Sequence, residues 1–219
     1  MITRESFSAP VWDRREIARY ARANPEDERI AALIEECFAE AELVLDYRVC
    51  CTVDAIVREG ADLCFCGIRT ASATLNKALS GCESLILFAA TVGAPFDRLI
   101  ERYSRLEPSK ALILQAIGAE RVESLCDAFM QKRNTELCAV GKSLRTRVSP
   151  GYGDIPLAMQ KEIFKALDCE RKIGLTLNES LLMSPSKSVT AIAGIGAARR
   201  EPDNDKCAFC PQTDCAYRK

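Results

Sequence analysis

The run Cys82–Val92, CESLILFAATV, restricts the fold more than any other segment. It carries one charge, Glu83, and reads as a buried strand, so a sheet has to begin here. Gly93-Ala-Pro-Phe-Asp97 then leads into another helix. A long one is predicted over about Ser109–Lys132, where Leu114, Ile117, Val122, Leu125 and Phe129 share a face. Upstream, Asp13–Ala23 and Glu26–Leu45 alternate charge and apolar residues at helical spacing, with Ile30, Leu33, Ile34, Cys37, Ala41 and Val44 as one stripe. Asn24-Pro25 separates these two helices. Tyr47–Ile56 is β-branched and partly alternating, Ala71–Leu79 and Leu157–Leu167 read as helices, and Leu175–Ile195 is β-rich. Strands and helices are mixed without regular βαβ alternation. The expected class is α+β, a mixed or antiparallel twisted sheet flanked by helices. The expected organisation is one domain over 1–198, helical over 1–45, followed by a polar linker and Cys-rich tail over 199–219.

Composition narrows the function. Apolar residues make up 48% and charged residues 28% of the 219, which suits a folded globular body. Thirty basic residues against 31 acidic ones give a formal charge of −1, so neither nucleic acid nor an anionic membrane is an expected partner. The opening residues, MITRESFSAPVWDRRE, lack the apolar core of a signal peptide, and Leu85–Ala94 and Val189–Ala198 are too short to span a bilayer. A cytoplasmic location follows as the expectation, with most of the 12 cysteines as thiols. Cys37, Cys82, Cys126, Cys138 and Cys169 lie singly in apolar or helical surroundings and read as small buried hydrophobes. There is no histidine. That removes the commonest general base, the commonest metal ligand and every Ser-His or Cys-His pair, and it denies this chain a histidine ligand for a cobalt corrin.

The segment RVSPGYGDIPLAMQ, residues 147–160, favours ligand contact. Pro150-Gly151 makes a turn in which glycine lets the backbone approach a ligand with its amide free. Arg147 offers a planar donor fork suited to a carboxylate, and Tyr152 offers an aromatic face and a hydroxyl able to border a purine or ribose. LTLNESLLMSPSKSVT, residues 175–190, follows one helix later. Together the two segments resemble the activation domain of cobalamin-dependent methionine synthase, a family with an R-x-x-x-G-Y motif and a later G-x-x-L-T-E-S-x-x-M-x-P-x-x-S-V-S-G type segment. The matching positions include Gly174, Leu177, Glu179, Ser180, Met183, Pro185, Ser188 and Val189, and the similarity is looser over about Cys82–Lys132.

The resemblance implies a mixed α/β fold that holds S-adenosylmethionine beside a corrinoid, so that oxidised cob(II)alamin is reduced and remethylated. By the same resemblance Arg147 would hold the methionine carboxylate, the backbone at Ser149 and Gly151 would meet the ligand, and Tyr152 would flank it. Glu123 is the best-placed counterpart of an acidic residue on the preceding long helix. No catalytic side chain is expected. The implied partners are a cobalamin-dependent methionine synthase lacking its own activation domain, or another corrinoid methyltransferase, together with an electron donor protein; a protein-binding scaffold that has lost the ligand is the remaining alternative. The chain departs from the family at Ser188-Val-Thr-Ala191 and at Ile192-Ala-Gly-Ile-Gly196, where aromatic residues commonly follow, and the family's further aromatic contact on a later strand has no counterpart.

Cys207-x2-Cys210-x4-Cys215 concentrates three thiols beyond the linker, a spacing compatible with zinc or an iron-sulfur cluster if a fourth ligand comes from elsewhere. Thiol redox chemistry or a disordered tail are the other readings. Cys64-Phe-Cys66, alternate on a strand, and Cys50-Cys51, adjacent and so facing opposite sides, read as buried thiols rather than metal motifs, with Cys64-Phe-Cys66 the favoured internal source of a fourth ligand.

Overall fold

The structure is a computed structural model that describes residues 1–198. The tail cysteines Cys207, Cys210 and Cys215 therefore lie outside the described residues. The chain opens with β1 (Thr3–Ser6), α1 (Arg14–Tyr20) and α2 (Glu28–Glu42), then β2 (Arg48–Ala55). Three short strands follow, β3 (Val57–Glu59), β4 (Asp62–Phe65) and β5 (Ile68–Thr70), and then α3 (Ala73–Ala78) and β6 (Cys82–Thr91). The second half comprises α4 (Ala94–Leu106), α5 (Pro108–Cys138), β7 (Lys142–Leu144), α6 (Met159–Leu167), α7 (Cys169–Ile173), β8 (Thr176–Leu177), β9 (Met183–Ser184) and β10 (Ser188–Ala197).

The central sheet has the order β1-β2-β6-β10-β7, and every neighbouring pair is antiparallel. This settles the sheet as antiparallel where the sequence left mixed pairing open. The lone-charge strand β6 lies at its centre, between β2 and β10. Its residues Ile86, Phe88 and Ala90 face one helical layer while Leu85, Leu87 and Ala89 face another. All six are 2% exposed or less, so apolar side chains are needed on both faces and no polar alternation can show. Each of the larger ones contributes about 1.5–3 kcal/mol by burial.

The first layer is α1, α2, α4 and α5; Phe129 of α5 sits 4.7 Å from Phe88 and 6.2 Å from Phe7, ring centre to ring centre. The second layer is α3, α6, α7 and the small sheet β3-β4-β5. Side-chain caps start the helices as the sequence implies: Asp13 accepts from the amides of Arg15 and Glu16, and Asp27 from that of Arg29. Asn24 accepts the Glu26 amide at 3.0 Å, which turns the chain between α1 and α2.

Four differences from the sequence reading have physical causes. The strand β1 is short and half polar, and its pairing with β2, Arg4 opposite Cys50, is non-local. The strands β3 to β5 have three or four residues each, too few for a period to register. Helix α5 continues past Lys132 to Cys138, and there Cys138 is exposed rather than buried, while Cys37, Cys82, Cys126 and Cys169 are buried. Cys66 does not continue the strand of Cys64: it has φ +49° in the turn after β4, with its amide on Asp54. Burial and the Asp54 carboxylate push the Cys66 thiol up to about 12. Cys50 and Cys51 do face opposite layers.

The run Ile192-Ala-Gly-Ile-Gly196 also gains a reason. A Cβ on Gly194 would sit 2.6 Å from Cys82 Sγ, and one on Gly196 2.7 Å from Arg145 Nη2. Larger side chains at these two positions would collide with residues that close the second layer. Among the described residues no helix is long and apolar enough to cross a membrane.

Candidate ligand site

Beyond β7 the chain stays against β10. The Arg145 amide donates to Gly194 O at 2.8 Å, and Val148 and Ile192 exchange amide bonds at 2.9 and 2.8 Å. Val148 packs into the second core, so its neighbour Arg147 is turned toward α5. There the Arg147 Nη2 donates to Glu123 Oε2 at 2.7 Å and to Asp127 Oδ1 at 3.0 Å. Glu123 and Asp127 are four apart and share a face of α5. The structure thus brings together Arg147 and Glu123, two of the residues expected in one site, and adds Asp127, which the sequence reading missed.

The Arg147 side chain is 11% exposed, and its Nε is buried with no hydrogen-bond partner. Burial draws its pKa down, but the Cys126 sulfur and the Glu123 and Asp127 carboxylates outweigh that and hold it above the usual value. One fixed positive charge against two carboxylates leaves the trio at −1. A buried donor without a partner costs about 1–3 kcal/mol.

The turn after Arg147 is closed on itself. Gly151 has φ +88°, a backbone conformation that favours glycine. Its N–H, expected to be free for a ligand, instead donates to Ile155 O at 2.9 Å, and the Tyr152 N–H donates to Ser149 O at 3.1 Å. A tight turn satisfies its own amides before any ligand arrives. What Gly151 keeps is exposure without a side chain, next to half-buried Ser149.

Asp154 fixes this turn to the second layer. Its carboxylate accepts from Ser72 Oγ at 2.6 Å and from the amides of Ala73 and Thr74 at 2.7 and 2.9 Å, at the start of α3. Those bonds, Ser72 first, hold its pKa well below the usual carboxylate range. No local signal marks Asp154, because its partners are about 80 residues away in sequence.

Tyr152 is half-buried and packs on the second core. Arg147 and Tyr152 therefore belong to opposite layers. In the second layer, Thr190 Oγ1 and Gln160 Oε1 are buried without partners. The segment 175–190 has structural work of its own: Ser186 bonds Asp97 of α4 through its amide and hydroxyl at 2.6 and 2.9 Å, and Ser188 Oγ bonds Thr91 Oγ1 at 2.8 Å. Glu179 and Ser180 are exposed in the β8–β9 hairpin, beside an open groove of about 570 Å³ that Lys161 and Phe164 of α6 also line. Among the described residues no group of three or more Cys, Asp or Glu side chains is arranged to hold a metal ion.

The model of the vitamin B12 dependent methionine synthase activation domain matches residues 75–201, more than half of the sequence. The chain belongs to that family. The match takes in most of α3, the long helix that carries Glu123, the Arg147 turn and β10. A solved structure, the MetH reactivation domain bound to AdoHcy, is similar to this activation domain with a TM-score of 0.67 at 16% identity, covering 92% of this chain and 80% of that one. The fold is therefore that of the MetH reactivation domain, with helices on a curled antiparallel sheet. No curated protein matches the sequence.

Proposed function

We propose that this activation domain binds S-adenosylmethionine at the Arg147 cluster and acts as a separate reactivation module for a cobalamin-dependent methionine synthase. One observation carries the reading: the guanidinium of Arg147, fixed by Glu123 and Asp127, with its Nε buried and unpaired. An α-amino acid end group matches this arrangement. Its carboxylate pairs with the guanidinium, and its ammonium takes the place of an Arg147 donor at one of the two carboxylates. The residual charge of −1 favours a ligand of net +1, which describes S-adenosylmethionine with its sulfonium, over neutral S-adenosylhomocysteine. The similar MetH domain was solved with AdoHcy, a ligand of this chemistry.

When bound, S-adenosylmethionine would supply an electrophilic methyl group to a partner's cob(I)alamin and leave as S-adenosylhomocysteine, with the electron needed to reach cob(I)alamin from cob(II)alamin supplied by a donor protein. This chain's residues hold and orient the donor. Arg147 fixes the amino-acid end, exposed Gly151 leaves room above the turn, and Asp154 keeps that turn from drifting. No side chain has to move a proton, so the contribution is positioning.

Isothermal titration tests the reading. S-adenosylmethionine should bind, S-adenosylhomocysteine more weakly, and Arg147→Ala should lose on the order of 100-fold or more in affinity, as when one partner of a buried charge pair is removed. The wild-type protein, with a reductant, should restore turnover to a methionine synthase trimmed of its own activation domain and stalled as cob(II)alamin. Absence of binding both alone and with the corrinoid partner would end the proposal.

A further inference from the structure

The family match begins at residue 75, so β1, α1 and α2 fall outside it. The first twenty residues are nevertheless fastened to the helix that carries Glu123. Arg121, fully buried, donates from Nη1 to Pro10 O at 2.7 Å and from Nη2 to Val11 O at 3.1 Å. Glu120 accepts the Asp13 amide at 3.3 Å and also holds Ser124 Oγ and the Arg121 guanidinium at 2.7 and 2.6 Å. Trp12 is stacked on Phe38 of α2, with ring centres 4.1 Å apart.

Glu120, Glu123 and Asp127 are spaced by three and four residues, so they lie along one face of α5. Asp13, docked at Glu120, is the N-cap of α1. The clamp therefore starts α1 on the face of α5 that presents the two carboxylates of the site, and α1 packs along α5. Its last residue is Tyr20, partly buried against the first core, with the Arg19 guanidinium 4.7 Å from the ring centre. The Tyr20 hydroxyl pKa is raised by burial first and by the Glu123 carboxylate second, as expected for neighbours.

We propose that Tyr20 is an aromatic wall of the ligand site on the Arg147 side of the sheet, and that the buried Arg121–Glu120 pair positions it there. The proposal rests on the S-adenosylmethionine reading above. Tyr152 packs on the other layer, whereas Tyr20 closes the helix that starts beside Glu120 on the Arg147 side. A ring on the helix that packs along the Glu123 face of α5 suits a sulfonium-bearing nucleoside, through its cation and its adenine face.

The test is titration of S-adenosylmethionine into the full chain carrying Tyr20→Ala or Tyr20→Phe, with thermal melts of each. Affinity should fall on the order of tenfold in Tyr20→Ala and stay within about twofold in Tyr20→Phe, since the ring face is what is used. Combining Tyr20→Ala with the double change Arg121→Met and Glu120→Leu should weaken binding no further than Tyr20→Ala alone, because both remove the same wall. The sole tryptophan, Trp12, reports by its emission whether the arm has left α5. Tyr20→Ala binding at wild-type strength while Arg147→Ala binds poorly overturns the wall and leaves the site standing. Wild-type binding in both overturns the site itself. If Tyr20→Ala does not fold, photolabelling of the wild-type protein with 8-azido-S-adenosylmethionine decides, with label on residues 16–27 expected and its absence there overturning the proposal.

Discussion

Both faces of the central sheet are covered, the first by helices and the second by helices with a small sheet, but by different chemical means. On the first face charged groups are carried inside: Arg121 and Glu120 are paired at 0% and 3% exposure, Lys110 at 8% reaches Glu36, and Arg147 lies against Glu123 and Asp127. On the second face the covering is mostly apolar side chains and thiols, with Ser72, Arg145, Gln160 and Thr190 among the buried polar groups. Cys50 and Cys169 adjoin there; hydrogen bonding with Cys50 and then burial push the Cys169 thiol far up, so it stays protonated. Buried ion pairs return little net stability after desolvation, and their usual gain is a fixed geometry. The difference teaches that the first face is built to hold groups in register, whereas the second is built to close.

Substitutions can break that division. The largest stability loss is expected for Phe129→Ala on the first face, about 3–5 kcal/mol by urea unfolding, since the ring is fully buried between Phe7 and Phe88. Arg121→Met should cost a similar amount, about 3–5 kcal/mol, because buried Glu120 is left charged without its counter-ion, and adding Glu120→Leu should recover part of it. Failure of the second change to recover anything would mean the pair acts through more than its charges.

Ile163→Ala, on the second face, should cost about 2–5 kcal/mol and yet leave ligand affinity unchanged in titrations below its melting range. A large loss of affinity in that variant would erase the distinction between the faces. The smallest effect is expected at Asp154, which ties the turn to α3 within the second layer. Its folded pKa is depressed, so its contribution is fully present above the ordinary Asp value of about 3.9 and is lost as pH falls through the lower folded value. Asp154→Asn should therefore lower the melting temperature near pH 7, and the gap to wild type should narrow in strong acid. A gap that does not depend on pH would show that the carboxylate charge plays no part.

Much of the fold was legible. The predicted helices over Asp13–Ala23, Glu26–Leu45, Ser109–Lys132 and Leu157–Leu167 correspond to α1, α2, α5 and α6, because their apolar residues recur at helical spacing and one face of each is covered. The strands β2, β6 and β10 were legible as apolar or β-branched runs. The strands β1 and β3 to β5 were not, since their stability comes from pairing rather than from their own side chains. At the site, Arg147 and Glu123 were named from sequence and are in contact, whereas Asp127, Asp154 and Tyr20 were not named, because each matters through a partner far along the chain.

What the sequence by itself determined is the chemistry on offer and the family. The missing histidine, the Arg147-x-x-x-Gly151-Tyr152 spacing and the segment 175–190 are all written in residue order. Tertiary structure decided which of those groups meet. Strand alternation at Val148 sends Arg147 to one layer and leaves Tyr152 on the other, and the turn consumes the Gly151 amide that sequence alone leaves open. Residue types follow from the chain, but direction depends on which face of the sheet a side chain leaves, and that is settled only when β10 and α5 are both in place.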